Sequence, residues 1–250
     1  MNLKNFFPFV LLIVVNIQLL NGQNQSKVYD FPIKPGTQEW QNLKSYEDRL
    51  NAYNIPEKLL INMNTQDLVL TCLNYPEFRL IMTRNSLQQG YDYLKTVFNG
   101  FGELEKRKDA GMELLIVYQK LNPSDIINYD TPIKRGEFAF NIKYIEILLA
   151  QDSILSNLDK NCKKELIKAS ISNYEAIKEM PAEYASFGLL TPALVLGRLM
   201  YKNNHEDFST KMLENKNLER FVNDSEILDP ETLDYILIYS KNYLTQIDNE

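Results

Sequence analysis

The chain has 250 residues, with 27 basic and 33 acidic side chains, a net charge of −6 and one histidine. A mildly acidic balance gives no bulk attraction for nucleic acid, and a lone histidine excludes three-histidine zinc sites and the helical H-E-x-x-H arrangement. Two cysteines, Cys72 and Cys162, are too few for a disulfide framework in a chain this long.

Residues 1–22 read as a secretory signal peptide. Lys4 supplies the positive start, the apolar run Phe6 to Leu20 follows, and the small Gly22 precedes polar "QNQSK". As a helix the run would be roughly 22 Å long, short of a ~30 Å hydrocarbon core. Pro8, Asn16 and Gln18 weaken a permanent span further, and an uncleaved N-terminal anchor is the alternative. No cysteine precedes Cys72, so no lipid attaches at a cysteine near the cleavage point. The expectation is an exported protein, periplasmic or secreted, not a lipoprotein, with no stable membrane span once the signal is removed.

Residues 23–35 read as a polar, extended leader. Residues 36–250 read as a single helical domain, with sub-domains 36–122 and 126–250 as the alternative organisation. Periodicity near 3.6 recurs along the chain and period-two alternation does not. "SYEDRLNAY" opens with Ser45 and has Asp48 three residues on, close to a capping box. Pro56 stands where a first helical residue belongs. "NTQDLVLTCLNYP" starts at Asn64 or Thr65 and stops before Pro76, placing Cys72 on an apolar face as a buried, inert thiol. "NSLQQGYDYLKTVF" aligns Leu87, Tyr91, Leu94 and Phe98, and Asn99-Gly100 reads as its left-handed end. "AGMELLIVYQKL" runs on to the break at Pro123.

Further along, Glu137 to Ala150 presents Phe138, Ile142, Ile145 and Leu149. Cys162 to Met180 presents Ile167, Ile171, Tyr174 and Ile177 before Pro181. Leu189 to Met200 is apolar all round except for Arg198, the mark of a buried central helix. His205 to Lys216 reads as polar and exposed. The last helix is capped by Asp229, begins at Pro230, and carries Leu233, Ile236, Leu237, Leu244 and Ile247 on one stripe. No repeat of 34 to 47 residues is visible in the sequence. The fold expected is all-α, an irregular helical bundle or a divergent stack of helix pairs.

"VFNGFGELEKRKDAG" raises the question of a phosphate loop. Gly100 and Gly102 are followed by Glu105 rather than a third glycine, no strand precedes them, and no G-x-x-x-x-G-K-[ST] occurs. The structural expectation is that Gly102 admits the next helix, and that Lys106, Arg107 and Lys108 lie on a solvated face offset by Glu103, Glu105 and Asp109. "HED" at His205 to Asp207 reads as a solvated helix start, with its acids favoured by the helix dipole, so neither a metal nor a cofactor is expected. A serine triad would have to use His205, and no G-x-S-x-G elbow is present. Cys-His catalysis requires Cys72 or Cys162 to meet His205 in space. No catalytic residue can be named.

Two residues are candidates for binding. Arg198 sits in an apolar helix, where a buried guanidinium calls for a carboxylate; it either makes an ion pair, reaches solvent, or clamps a ligand. Trp40, the only tryptophan, either anchors the leader to the body or stacks on a ligand.

"FPIKPGTQEW", "NIPEKLL", "LVLTCLNYP", "NSLQQGY", "FNGFGELEKRKDAG" and "LLIVYQKL" follow in order from Phe31 to Leu121. This series resembles a group of exported proteins from Bacteroidota-type bacteria. The resemblance implies bacterial export and an all-helical fold, and brings no catalytic residues. "DSI", Asp152 to Ile154, is similar to the short O-glycosylation sequon of exported proteins in such bacteria; Ser153 is otherwise a turn residue. The sequence points to a protein-interaction or binding module of the periplasm or cell envelope, partnered by another envelope or secreted protein. A carboxylate-dependent hydrolase and a small-ligand binder without catalysis are the rivals.

Overall fold

A computed structural model describes residues 28–226 and 230–249, so the signal segment and the cap Asp229 fall outside it. The described residues form fifteen α-helices and three 3-10 segments, with no strand. The N-terminal part runs through α1 (Gln38–Asn42), α2 (Tyr46–Asn51), α3 (Glu57–Asn62), α4 (Thr65–Leu73), the 3-10 segment Phe78–Thr83, α5 (Leu87–Val97), α6 (Asn99–Leu104) and α7 (Ala110–Tyr118). After the 3-10 segment Pro123–Asn128 come α8 (Pro132–Leu149), α9 (Asp152–Ser156), α10 (Lys160–Lys178) and α11 (Pro181–Tyr184). The 3-10 segment Ser186–Leu189 leads into α12 (Leu190–Lys202), α13 (Glu206–Glu214), α14 (Lys216–Asp224) and α15 (Pro230–Asn249). None of the described helices is long and apolar enough to cross a membrane.

Local chemistry sets most of these boundaries. Ser45 and Asp48 form a full capping box, and the side chains of Asn64, Ser86, Thr131 and Asp159 accept from N–H groups left over in the first turns of α4, α5, α8 and α10. Helix α8 starts five residues before Glu137, because Thr131 caps it and Pro132 fits its first position. Pro56 stands one place earlier than expected, as the residue before α3.

Helix α12 is buried at every residue from Leu190 to Met200, and it packs on α8, α10 and α15. In the N-terminal part α4 lies against α6 and α7, and α7 contacts α8. One apolar core runs from Phe31 to Ile236. The end of the leader belongs to it. Phe31 is buried between the rings of Tyr53, Tyr75 and Phe98, and the Tyr29 N–H donates to Thr71 Oγ1 at 3.0 Å. The sequence reads this segment as polar and extended; burial of one aromatic ring ties its end to the core all the same.

The glycine-rich stretch also differs from its reading. Phe98 is extended and ends α5, and α6 starts at once at Asn99, with neither Asn99 nor Gly100 left-handed. Asn99 instead clamps a turn. Its Oδ1 accepts from Ile55 N–H at 3.0 Å, its Nδ2 donates to Ile55 O at 2.8 Å, and its own N–H donates to Asn54 Oδ1 at 2.9 Å. Gly100 and Gly111 are close-packed, a Cβ lying 2.4 Å from the Phe98 ring at the first and 2.6 Å from the Leu158 side chain at the second, whereas a Cβ at Gly102 meets nothing within 4 Å. Gly102→Ala is therefore expected to stabilise by up to about 1 kcal/mol through helix propensity, and Gly100→Ala to destabilise by roughly 1–3 kcal/mol through overpacking. Thermal melts of opposite sign check this.

The basic cluster divides. Lys106 and Lys108 are exposed, but Arg107 is half-buried and tied down. It donates to Glu103 Oε1 at 2.8 Å and to the carbonyls of Leu60, Ile61 and Met63 at the end of α3. A cation at a helix C-terminus is favourable for the same reason that an anion is favoured at the start.

Candidate functional site

Arg198 is 7 % exposed. Its Nε donates to Val222 O at 2.8 Å, its Nη1 to Gln88 Oε1 at 2.7 Å and Ala150 O at 3.1 Å, and its Nη2 to Asn223 O at 3.0 Å and Ser225 Oγ at 3.3 Å. All five guanidinium donors are engaged, and every acceptor is a neutral oxygen. This corrects the expected carboxylate partner. Val222 and Asn223 lie in the last turn of α14, and Ala150 caps the end of α8. Two helix C-termini thus bring their negative poles to one cation. Burial pulls the Arg198 pKa below its usual value, against the attraction of Asp152, Asp92 and Asp224.

This layer is the wall between two cavities. On one side lies a polar cleft of about 680 Å³ that Arg198 lines together with Gln88, Asn223 and several charged groups. Those charges are engaged one by one: Lys95 pairs with Glu105 at 2.9 Å, Lys202 pairs with Asp152 at 3.2 Å, and Asp92 accepts from Gln88 Nε2 at 2.9 Å. Glu105 also accepts from the Tyr91 hydroxyl at 2.7 Å. Each carboxylate has its own partner, which is not the arrangement of two carboxyl groups acting on one bond. Ser153 lies in α9 rather than in a turn, and it lines this cleft with its Oγ buried, so a glycan on it would have to be attached before that helix packs.

On the other side lies an apolar cavity of about 360 Å³, bounded by the segment Phe78–Thr83 and parts of α5, α8 and α12. Ile81, Leu87, Tyr144, Ile147 and Leu190 line it, and Met82 and Phe140 stand exposed at its rim. Tyr144 is stacked between Phe78, at 3.9 Å, and Phe140, at 5.8 Å. Its two charged lining residues are Arg84 and Lys143, and none of the described lining residues is acidic. The Lys143 ammonium lies 5.4 Å from the Phe140 ring centre, and the Arg84 guanidinium 4.0 Å from that of Tyr93. Neither cation has an ion-pair partner among the described residues. Burial pushes the Lys143 pKa down, and Glu146 draws it back.

The wall is shared at the level of single residues. Ser86 and Leu87 line the apolar cavity while the next residue, Gln88, lines the polar one. Ser225 lines the apolar cavity, while Val222 and Asn223 line the other. Ser225 holds a left-handed backbone, φ 58°, at the end of α14, a conformation that costs a non-glycine residue energy. Arg198 is thus a positioning residue for both cavities.

Beneath the apolar cavity sits Glu146, fully buried in α8. It accepts from Tyr118 Oη at 2.6 Å and from Thr191 Oγ1 at 2.5 Å, and Thr191 lines the cavity. Burial pushes the Glu146 carboxyl up to about 7, although both hydroxyls and Lys143 pull it the other way. Sequence reasoning passed over Glu146. The available signal was one acid inside "YIEILLA", a run with no other charge.

Trp40 lies elsewhere. Its ring packs tilted against Tyr53 at 5.5 Å with the Arg49 guanidinium 5.2 Å from its ring centre, and it lines neither cavity. The structure does not bring Trp40 and Arg198 together. His205 is buried rather than solvated: its Nδ1 accepts from Phe208 N–H at 3.1 Å as the cap of α13, and its ring stands edge-on to Tyr243 at 4.8 Å. Both cysteines are free thiols, and burial pushes both pKa values up, Cys72 furthest, opposite to the shift that activates a thiolate. No group of three potential metal ligands occurs among the described residues. Comparison with family models, characterised proteins and solved structures gave no match.

Proposed function

We propose that this chain is an exported binding module that holds its ligand without covalent chemistry, and that it belongs with the exported helical proteins it resembles. The observation that carries this reading is the apolar cavity whose two lining cations have no ion-pair partner among the described residues. Binding sites combine an apolar lining with a few placed polar groups, and this cavity has that composition. The polar cleft, by contrast, has its charges paired internally.

Anilinonaphthalene sulfonate, an apolar anion, tests it. The folded mature chain, residues 23–250, is expected to show one saturable fluorescent site that Phe140→Asp weakens without changing the melting temperature. Binding that never saturates, or that ignores Phe140, overturns the assignment. The export half of the proposal has its own check: protein recovered from the native host should begin near Gln23 rather than at Met1.

A second reading, docking of another envelope protein, has support in a groove of about 320 Å³ along α4, α7 and α8. Leu70, Val117 and Phe138 give it an apolar floor, and Gln66, Asn74 and Asn141 place amides along it. Such a lining suits an extended peptide, whose backbone needs donors and acceptors. Gentle crosslinking in the native host separates the readings. A stoichiometric protein partner crosslinked through Lys120, which lines the groove and is exposed, favours docking; its absence leaves the small-ligand reading.

A further inference from the structure

Resting on that reading of the apolar cavity, we infer that its ligand is a single-tailed amphiphile with an anionic head, a carboxylate or a phosphate, the head between Arg84 and Lys143 and the tail along Met82, Phe140 and Tyr144. The sign of the charge comes first. The described lining carries two cations and no acid, so a cationic ligand would meet only like charge, and the cationic end of a zwitterion would find no partner. Lys143 is half-buried on the Phe140 ring with no ion pair among the described residues; Glu146 attracts it from beneath but has its oxygens engaged by Tyr118 and Thr191. An ammonium held partly out of water gains most from an anion brought to it. Arg84 is exposed at the mouth, where its planar fork can meet a second oxygen of the head group.

The head group is a compact anion that meets both cations. Arg84 and Lys143 supply the charged donors, while Thr191 gives its proton to Glu146 beneath the cavity. An arginine and a lysine together carry enough N–H groups to serve the oxygens of a carboxylate or of a phosphate. The volume adds the last constraint. At about 360 Å³ the cavity is near the small end of ligand sites, with room for one short aliphatic or aryl tail rather than a two-chain lipid.

The test is competition on the folded mature chain, with anilinonaphthalene sulfonate as reporter and decanoate, decyl phosphate and decyltrimethylammonium as probes. Decanoate and decyl phosphate are each expected to displace the reporter at far lower concentration than decyltrimethylammonium, and the order of the two anions names the head group. Lys143→Met and the exposed Arg84→Gln are each expected to weaken decanoate roughly tenfold, as befits loss of one charge-assisted contact, with melting temperature unchanged for Arg84→Gln. If decyltrimethylammonium displaces as well as either anion, the anionic assignment falls while the binding reading stands. If decanoate binds equally to both variants, the placement between the cations is wrong. If the reporter itself finds no saturable site, the binding reading falls too.

Discussion

Replacing Arg198 with methionine is expected to destabilise the protein by roughly 3–5 kcal/mol, placing it among the largest single-residue effects. The substitution keeps much of the side chain's length and apolar packing, so the loss is almost purely one of donors. Five hydrogen bonds disappear together, and the carbonyls of Val222 and Ala150, deep in the protein, lose the guanidinium that served them. Leaving buried acceptors unmet costs about 1–3 kcal/mol each. Two helix ends, of α8 and α14, lose their shared cation at the same time. Arg198→Lys separates the two contributions. A lysine retains the charge that the helix dipoles favour but cannot span five acceptors from one planar fork. It should recover less than half of the loss, as read from urea midpoints at constant slope. Full recovery by lysine would mean that charge alone, rather than the geometry of the fork, holds the wall between the cavities.

The second large effect depends on pH and belongs to Glu146. Its folded carboxyl is raised to about 7, foremost by burial, while an unfolded glutamate titrates near 4.3. A group that binds its proton more tightly when folded contributes stability fully below the unfolded value, and that contribution fades as pH rises through the folded one. Between about pH 4 and pH 8 Glu146 should therefore remove about 3 kcal/mol of stability, at 1.36 kcal/mol per factor of ten in proton affinity. Glu146→Gln keeps the shape and can still meet Tyr118 and Thr191, with one hydroxyl turned to accept. The glutamine variant should match the parent near pH 4 and exceed it by about 2–3 kcal/mol near pH 8. Parallel stability-pH curves for the two proteins would show that the paired hydroxyls hold a carboxylate there at no cost.

What was legible in the sequence was local. Ser45, Asn64 and Ser86 announce the helix starts they make, because a cap acts on backbone groups two or three residues away. The unbroken apolar character of α12 announces its burial, because a helix with no polar face has nowhere else to go. The misread residues are those whose partners lie far along the chain. Asn99 resembles a helix stop until Ile55, 44 residues earlier, is seen in its grasp. Arg107 resembles a surface charge until α3 is laid beneath it. Arg198 was singled out for the right reason, a cation in an apolar helix, but its acceptors are carbonyls, which every residue carries and no sequence marks. The apolar cavity was wholly invisible, since Met82, Phe140 and Leu190 share no motif and meet only in three dimensions.

Trp40 gives the molecule a built-in optical probe of one region. It is the chain's only tryptophan, and it rests on Tyr53 at the edge of the aromatic cluster that also holds Phe31 and Tyr75. Its emission therefore follows that cluster, while far-ultraviolet circular dichroism follows every helix at once. Coincident melting curves by the two signals mean that the Phe31 cluster and the α12 bundle come apart in one cooperative step. An earlier change in emission means that the N-terminal cluster opens first, and with it the seat of the leader.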